Sequence, residues 1–154
     1  VSQKIVAIPH YPQSTAGQCL PACARMLLAH SGVLMAEAEV AKVLEAKSYG
    51  APSFAVKKLH KIDFTVDYRE WSVAEVAAAL NEDKPVIIFL RTGFLEYWHE
   101  DVAHALVIVG VESESQFWVH DPAKQAAPIA VSWDGLLAAW AEFGYRGATV
   151  SRAT

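Results

Sequence analysis

Pro12-Gln13-Ser14-Thr15-Ala16-Gly17-Gln18-Cys19-Leu20-Pro21-Ala22-Cys23 sets a glutamine six residues ahead of a cysteine. The apolar run behind it, Leu20 to Ser31, reads as a buried helix stopped by Gly32. A thiol at a helix entrance meets backbone N–H groups that lack intrahelical acceptors, together with the positive end of the helix dipole. Both favour the thiolate, which is the nucleophilic form. Gln13 can offer its side-chain amide beside the backbone N–H of Cys19, giving two donors for one developing oxyanion. Cys23, one turn deeper on the same face, reads as a core residue.

A nucleophile of this kind needs a base and a group to orient it. His104 heads the apolar strand Ala105-Leu106-Val107-Ile108-Val109, and Asp121 follows the next strand in Val119-His120-Asp121-Pro122. In an antiparallel hairpin the start of one strand lies beside the end of the next. The carboxylate of Asp121 is therefore expected to hold one ring nitrogen of His104 while the other faces Cys19. His99, in Tyr97-Trp98-His99-Glu100-Asp101, is the rival base, and Tyr97, Trp98 and His99 are expected to border the cleft and touch substrate. His10, His30 and His60 lack a partner pattern, and alternation should turn His120 away from the face of Asp121.

The rest of the chain reads as α+β. Expected elements are a short strand at Ile5 to Ile8 and helices at Leu20 to Ser31 and Met35 to Ala46. A short helix capped by Ser53 runs to His60, followed by a strand at Phe64 to Tyr68. Ser72-Val73-Ala74-Glu75 is a capping box opening a helix that ends near Asn81. Strands follow at Pro85 to Arg91, His104 to Val111, Gln116 to His120 and Ile129 to Ser132. Ser132 then caps a helix from Trp133 to Phe143, and Gly147 to Ser151 makes a last strand. Trp133, Trp140 and Phe143 recur at near-helical spacing and are assigned to the core. The order predicts a helical half packed on an antiparallel sheet, with the nucleophile on one and the base on the other.

At 154 residues the chain is expected to be a single domain, 1–154, and 53% hydrophobic composition suggests strands buried on both faces or a surface shared with a partner. Apolar runs are of strand length, short of the roughly 18 residues of a membrane helix. A net charge of −4 with scattered basic residues argues against nucleic acid as the main ligand. Two cysteines four apart make neither a disulfide framework nor a zinc set, so no metal or other cofactor is expected and the thiols are read as free, which suits a cytoplasmic setting. The start at Val1 is read as that of a mature fragment or of a domain from something larger, with homo-oligomerisation also open.

Together these residues resemble the papain-like cysteine peptidases, and more closely the bacterial family of bacteriocin-processing, double-glycine leader peptidases. The likeness spans nearly the whole chain: Gln13 before Cys19, the helix behind the cysteine, the break at Gly50, His104 on a valine-rich strand, Asp121-Pro122, and the aromatic helix around Trp133 and Trp140. By position it implies Gln13 as oxyanion-hole residue, Cys19 as nucleophile, His104 as base and Asp121 as orienter. It also implies a papain-like fold and cleavage after small residues of a leader peptide. Two features depart from the family. Its usual Asp-Cys-Gly is here Gln18-Cys19-Leu20, and Thr92 to Ala103 is longer than in transporter-linked members, as in a stand-alone relative. The same triad would also serve an acyltransferase, a transglutaminase-like enzyme or a deamidase, and a non-catalytic peptide-binding domain is the reading from another class.

Overall fold

The computed structural model of the chain describes residues 4–153. Its centre is a six-stranded sheet in the order β1-β6-β2-β3-β4-β5, with every neighbouring pair antiparallel. The strands are β1 (Phe64–Glu70), β2 (Val86–Arg91), β3 (Ala103–Glu112), β4 (Gln116–His120), β5 (Ile129–Ser132) and β6 (Arg146–Arg152). The helices are α1 (Cys19–His30), α2 (Glu37–Leu44), α3 (Val73–Asn81) and α4 (Trp133–Ala141), with 3-10 segments at Ser53–Ile62 and Thr92–Phe94.

Period-two alternation on β2 and β3 divides the core. Ile87, Phe89, Ala105, Val107 and Val109 pack with α1, α2 and the Ser53–Ile62 segment. Val86, Ile88, Leu90, Leu106 and Ile108 pack with α3 and α4 on the other face. Strands buried on both faces account for the apolar surplus of the composition. The N-terminal α1 and α2 thus pack on one face of the antiparallel sheet, as the predicted helical half does, and α3 and α4 cover the other.

Several local expectations are corrected. Ile5 to Ile8 is not a strand; it runs irregularly beside β3, where the Val6 N–H donates to the Val109 carbonyl at 2.9 Å. Ser53 does not cap the following segment. Pro52 stands at that position, and the Ser53 hydroxyl bonds the Tyr68 hydroxyl at 2.6 Å. The capping box at Ser72 and Glu75 is present, with the Glu75 N–H donating to Ser72 Oγ at 3.1 Å. Phe143 lies beyond α4 and is only half-buried at the edge of the cleft, because the helix ends at Ala141. Among the described residues no helix is long and apolar enough to cross a membrane.

Candidate active site

Cys19 is the first residue of α1. Gln18 precedes it without a side-chain cap, so the first-turn N–H groups are not taken by a capping side chain, and Cys19 and Leu20 of that turn line the cleft. Pro21 falls in that first turn, where its missing N–H costs nothing. The approach to Cys19 is shaped by Gly17, whose φ of +93° suits glycine. A Cβ there would stand 2.5 Å from the Ser48 carbonyl oxygen, so the loop before the cysteine lies flush against the turn at residues 48–50. The chain ahead of Gly17 is tied to the far side of the site: the Gln13 N–H donates to the Pro122 carbonyl at 2.7 Å, and the His10 ring bonds the Lys124 carbonyl at 2.7 Å.

His104 and Asp121 meet across the β3–β4 hairpin. His104 Nε2 lies 2.7 Å from Asp121 Oδ1, and both side chains are buried. The same Oδ1 accepts the Ala123 N–H at 2.9 Å. The second oxygen, Oδ2, accepts the Tyr97 hydroxyl at 2.7 Å and the Trp98 indole N–H at 3.0 Å. The Trp98 ring leans on the imidazole with centroids 4.8 Å apart.

The electrostatics follow from these contacts. Burial alone would raise the Asp121 carboxyl, but the hydrogen bond and charge of His104, with the Trp98 and Tyr97 donors, hold it down at about 2. Burial alone would lower His104, yet its bonds to Asp121 and Cys19 and their charges raise it to about 9. Burial also pushes the Cys19 thiol up, and is outweighed by the hydrogen bond and charge of His104 and by the backbone N–H groups of Ala105 and Leu20. The net is a thiol below its ordinary value beside an imidazole above its own, the arrangement of a thiolate–imidazolium pair. Cys23 is the opposite case: fully buried, with burial and then the charges of Cys19 and Asp121 holding it well above the ordinary thiol value.

A cleft of about 950 Å³ opens over Cys19 and His104, with Gln13, Trp98, Phe89 and Phe143 among its walls. Gln13 is thus on the cleft wall, with one N–H of its amide given to the Thr15 carbonyl at 3.1 Å. Its Oε1 is buried without a partner among the described residues. The amide nitrogen carries a second N–H beside the one given to Thr15.

The expected substrate-contacting trio is divided. Trp98 lines the cleft, while Tyr97 and His99 do not. Tyr97 is turned inward onto Asp121, and His99 is exposed. His99 is thereby corrected as rival base too, since His104 occupies the place beside Asp121. His120 packs edge-on against His10 at 5.1 Å rather than on Asp121's partners. Sequence reasoning missed Phe143 as a cleft residue and Tyr97 as a carboxylate donor. The only available signal for Tyr97 was an aromatic with a hydroxyl in a loop bordering the histidine strand. No group of three or more His, Cys, Asp or Glu suited to a metal occurs among the described residues.

The model of the Peptidase_C39 like family matches residues 5–148. The chain belongs to that family. Its fold is shared by solved structures at low sequence identity. A Bacillus anthracis protein described as a C39-like peptidase superposes with a TM-score of 0.81 at 15% identity, covering 100% of both chains. The peptidase domain of Streptococcus ComA, a bi-functional ABC transporter of a quorum-sensing pathway, gives 0.73 at 16% identity, covering 93% of this chain and 97% of that one. A double glycine motif protease from an AMS/PCAT transporter, solved with its leader peptide, gives 0.71 at 15% identity over 99% and 100%. No curated protein matches. For this member of the C39-like family, a papain-like α+β fold and the class of cysteine peptidases follow from the match.

Proposed function

We propose that the chain hydrolyses a peptide bond by covalent catalysis at Cys19. The observation that carries this reading is His104, bonded through Nε2 to Asp121 at 2.7 Å and lining the same cleft as Cys19 at the start of α1. The Cys19 thiolate attacks the substrate carbonyl carbon and the C–S bond forms. The oxyanion lies between the Cys19 N–H and the free N–H of the Gln13 amide. The His104 imidazolium gives its proton to the leaving amine as the C–N bond breaks, leaving a thioester and neutral His104. Water then loses a proton to His104 and attacks the thioester, and the C–S bond breaks to release the acid and regenerate the thiolate–imidazolium pair. Asp121 keeps the ring oriented and offsets its positive charge throughout.

An extended peptide suits the cleft between the turn at residues 48–53 and the Trp98–Ala105 wall. A leader peptide cut after small residues is the substrate favoured by the resemblance to double-glycine proteases. The test is to incubate the chain with peptides that include a Gly-Gly-ending leader, and to sequence the products. New amino termini are expected with the wild type and none with Cys19→Ala. kcat/KM should fall as pH rises through about 9, where His104 loses the proton the leaving group needs. Deamidated or acyl-transferred products without a new terminus would replace hydrolysis by one of those reactions. Binding without turnover would leave a peptide-binding domain.

A further inference from the structure

Tyr97, in the long β2–β3 connection, is absent from the cleft wall and turns its polar end into the protein. Its hydroxyl and the indole N–H of its neighbour Trp98 converge on the same atom, Asp121 Oδ2, at 2.7 and 3.0 Å. Burial and the charge of Asp121 push the phenol far above its ordinary value, so it stays a neutral donor. A carboxylate bonded through one oxygen only can swing about its Cβ–Cγ bond. With His104 and Ala123 on Oδ1 and two further donors on Oδ2, the plane of Asp121 is fixed from both sides.

The connection that carries Tyr97 is itself closed at its base. Thr92 is fully buried; its hydroxyl donates to the Glu100 carbonyl at 2.6 Å and accepts the Val102 N–H at 3.0 Å. The Arg91 guanidinium bonds Asp101 at its side chain (3.1 Å) and its carbonyl (2.9 Å). Leu95 is anchored in the second core, and Lys124 Nζ stands 5.1 Å over the Trp98 ring. Tyr97 is thus presented to Asp121 by a pinned segment rather than by a free loop.

We propose that Tyr97 is a positioning residue of the Cys19–His104–Asp121 site, its hydroxyl joining the Trp98 indole to hold the Asp121 carboxylate in the orientation that anchors His104. The proposal rests on the catalytic reading above. The titrating and charged groups around Asp121 are His104, Cys19, Cys23 and Tyr97, with Lys124 over the aromatic rings and Glu96 acting on Tyr97.

The experiment follows the rate of Cys19 alkylation by iodoacetamide against pH in the intact chain, which requires no known substrate, alongside kcat and KM on any peptide it cleaves. Asp121→Asn removes the charge that holds the imidazolium and should move the midpoint of Cys19 reactivity to higher pH. Tyr97→Phe keeps the ring and the charge but frees the carboxylate plane. It should move the midpoint in the same direction by about half a pH unit, and lower kcat by about tenfold with KM unchanged. An unmoved midpoint in Tyr97→Phe, with Asp121→Asn shifted, overturns the positioning role and leaves the catalytic reading standing. A raised KM with unchanged Cys19 reactivity would return Tyr97 to substrate contact. If wild-type Cys19 titrates as a free thiol, or Asp121→Asn shifts nothing, it is the catalytic reading that fails. Trp98→Phe, which removes the other donor on Oδ2, serves as the second variant: a midpoint shifted the same way supports the clamp, and an unmoved one overturns it.

Discussion

On the sheet side of the cleft both oxygens of the Asp121 carboxylate are engaged by four donors, whereas on the loop side the Gln13 amide leaves its oxygen and one N–H without a partner among the described residues. The first wall is held by side-chain hydrogen bonds in a buried setting, where each is worth more and its loss costs more. The second is held by backbone: Gly17 flush against Ser48, and Gln13 N–H on Pro122. The contrast suits the tasks proposed for them. A charged pair has to be kept in place between turnovers, while an oxyanion donor is needed only when charge develops on the substrate.

If that division is right, damage to the sheet wall should cost the most. Asp121→Asn leaves the shape but removes the charge opposite His104, and kcat should fall by up to about 10⁴-fold, the size seen when such a carboxylate becomes an amide. Single-turnover kinetics with a cleaved peptide would show it; a loss equal to that of Gln13→Ala would make the two walls equivalent, and a smaller one would reverse their order. Gln13→Ala should cost roughly 10²- to 10³-fold in kcat with little change in melting temperature, since it removes one transition-state donor from a half-buried side chain. A large drop in stability with unchanged kcat would make Gln13 structural. Gly17→Ala is the smallest chemical change. It combines a left-handed φ with a Cβ 2.5 Å from a backbone oxygen, so a loss of about 1–3 kcal/mol in denaturant unfolding is expected. Unchanged stability would show that the loop wall can shift and is less fixed than its packing implies.

The parts of the molecule that were legible in the sequence are those set by local pattern. The helix behind Cys19, the capping box at Ser72 and the β3–β4 hairpin each carry their own signal, and the hairpin alone brings His104 to Asp121. The α+β class and the family were legible for the same reason. What stayed hidden depends on long-range packing. Ile5 to Ile8 has strand composition, but the bond from Val6 to Val109 comes from where the segment docks on β3. The aromatic pair Tyr97-Trp98 announces a surface near the cleft without saying which ring faces out, because the direction is decided by Thr92 and by the position of Asp121. Phe143 looked like helix core because its spacing continues that of Trp133 and Trp140, and only the end of α4 at Ala141 releases it to the cleft.

The bond from His10 to the Lys124 carbonyl spans 114 residues, whereas His104 and Asp121 are 17 apart. Contacts of short separation close early and those of long separation close late. The hairpin with His104 and Asp121 is therefore expected to assemble first, and the segment carrying Gln13, the proposed oxyanion donor, to dock as one of the last events of folding. A half-folded chain would then hold His104 beside Asp121 without the Gln13 wall, so that the hydrolytic competence proposed for this site would arrive together with the native state and not ahead of it.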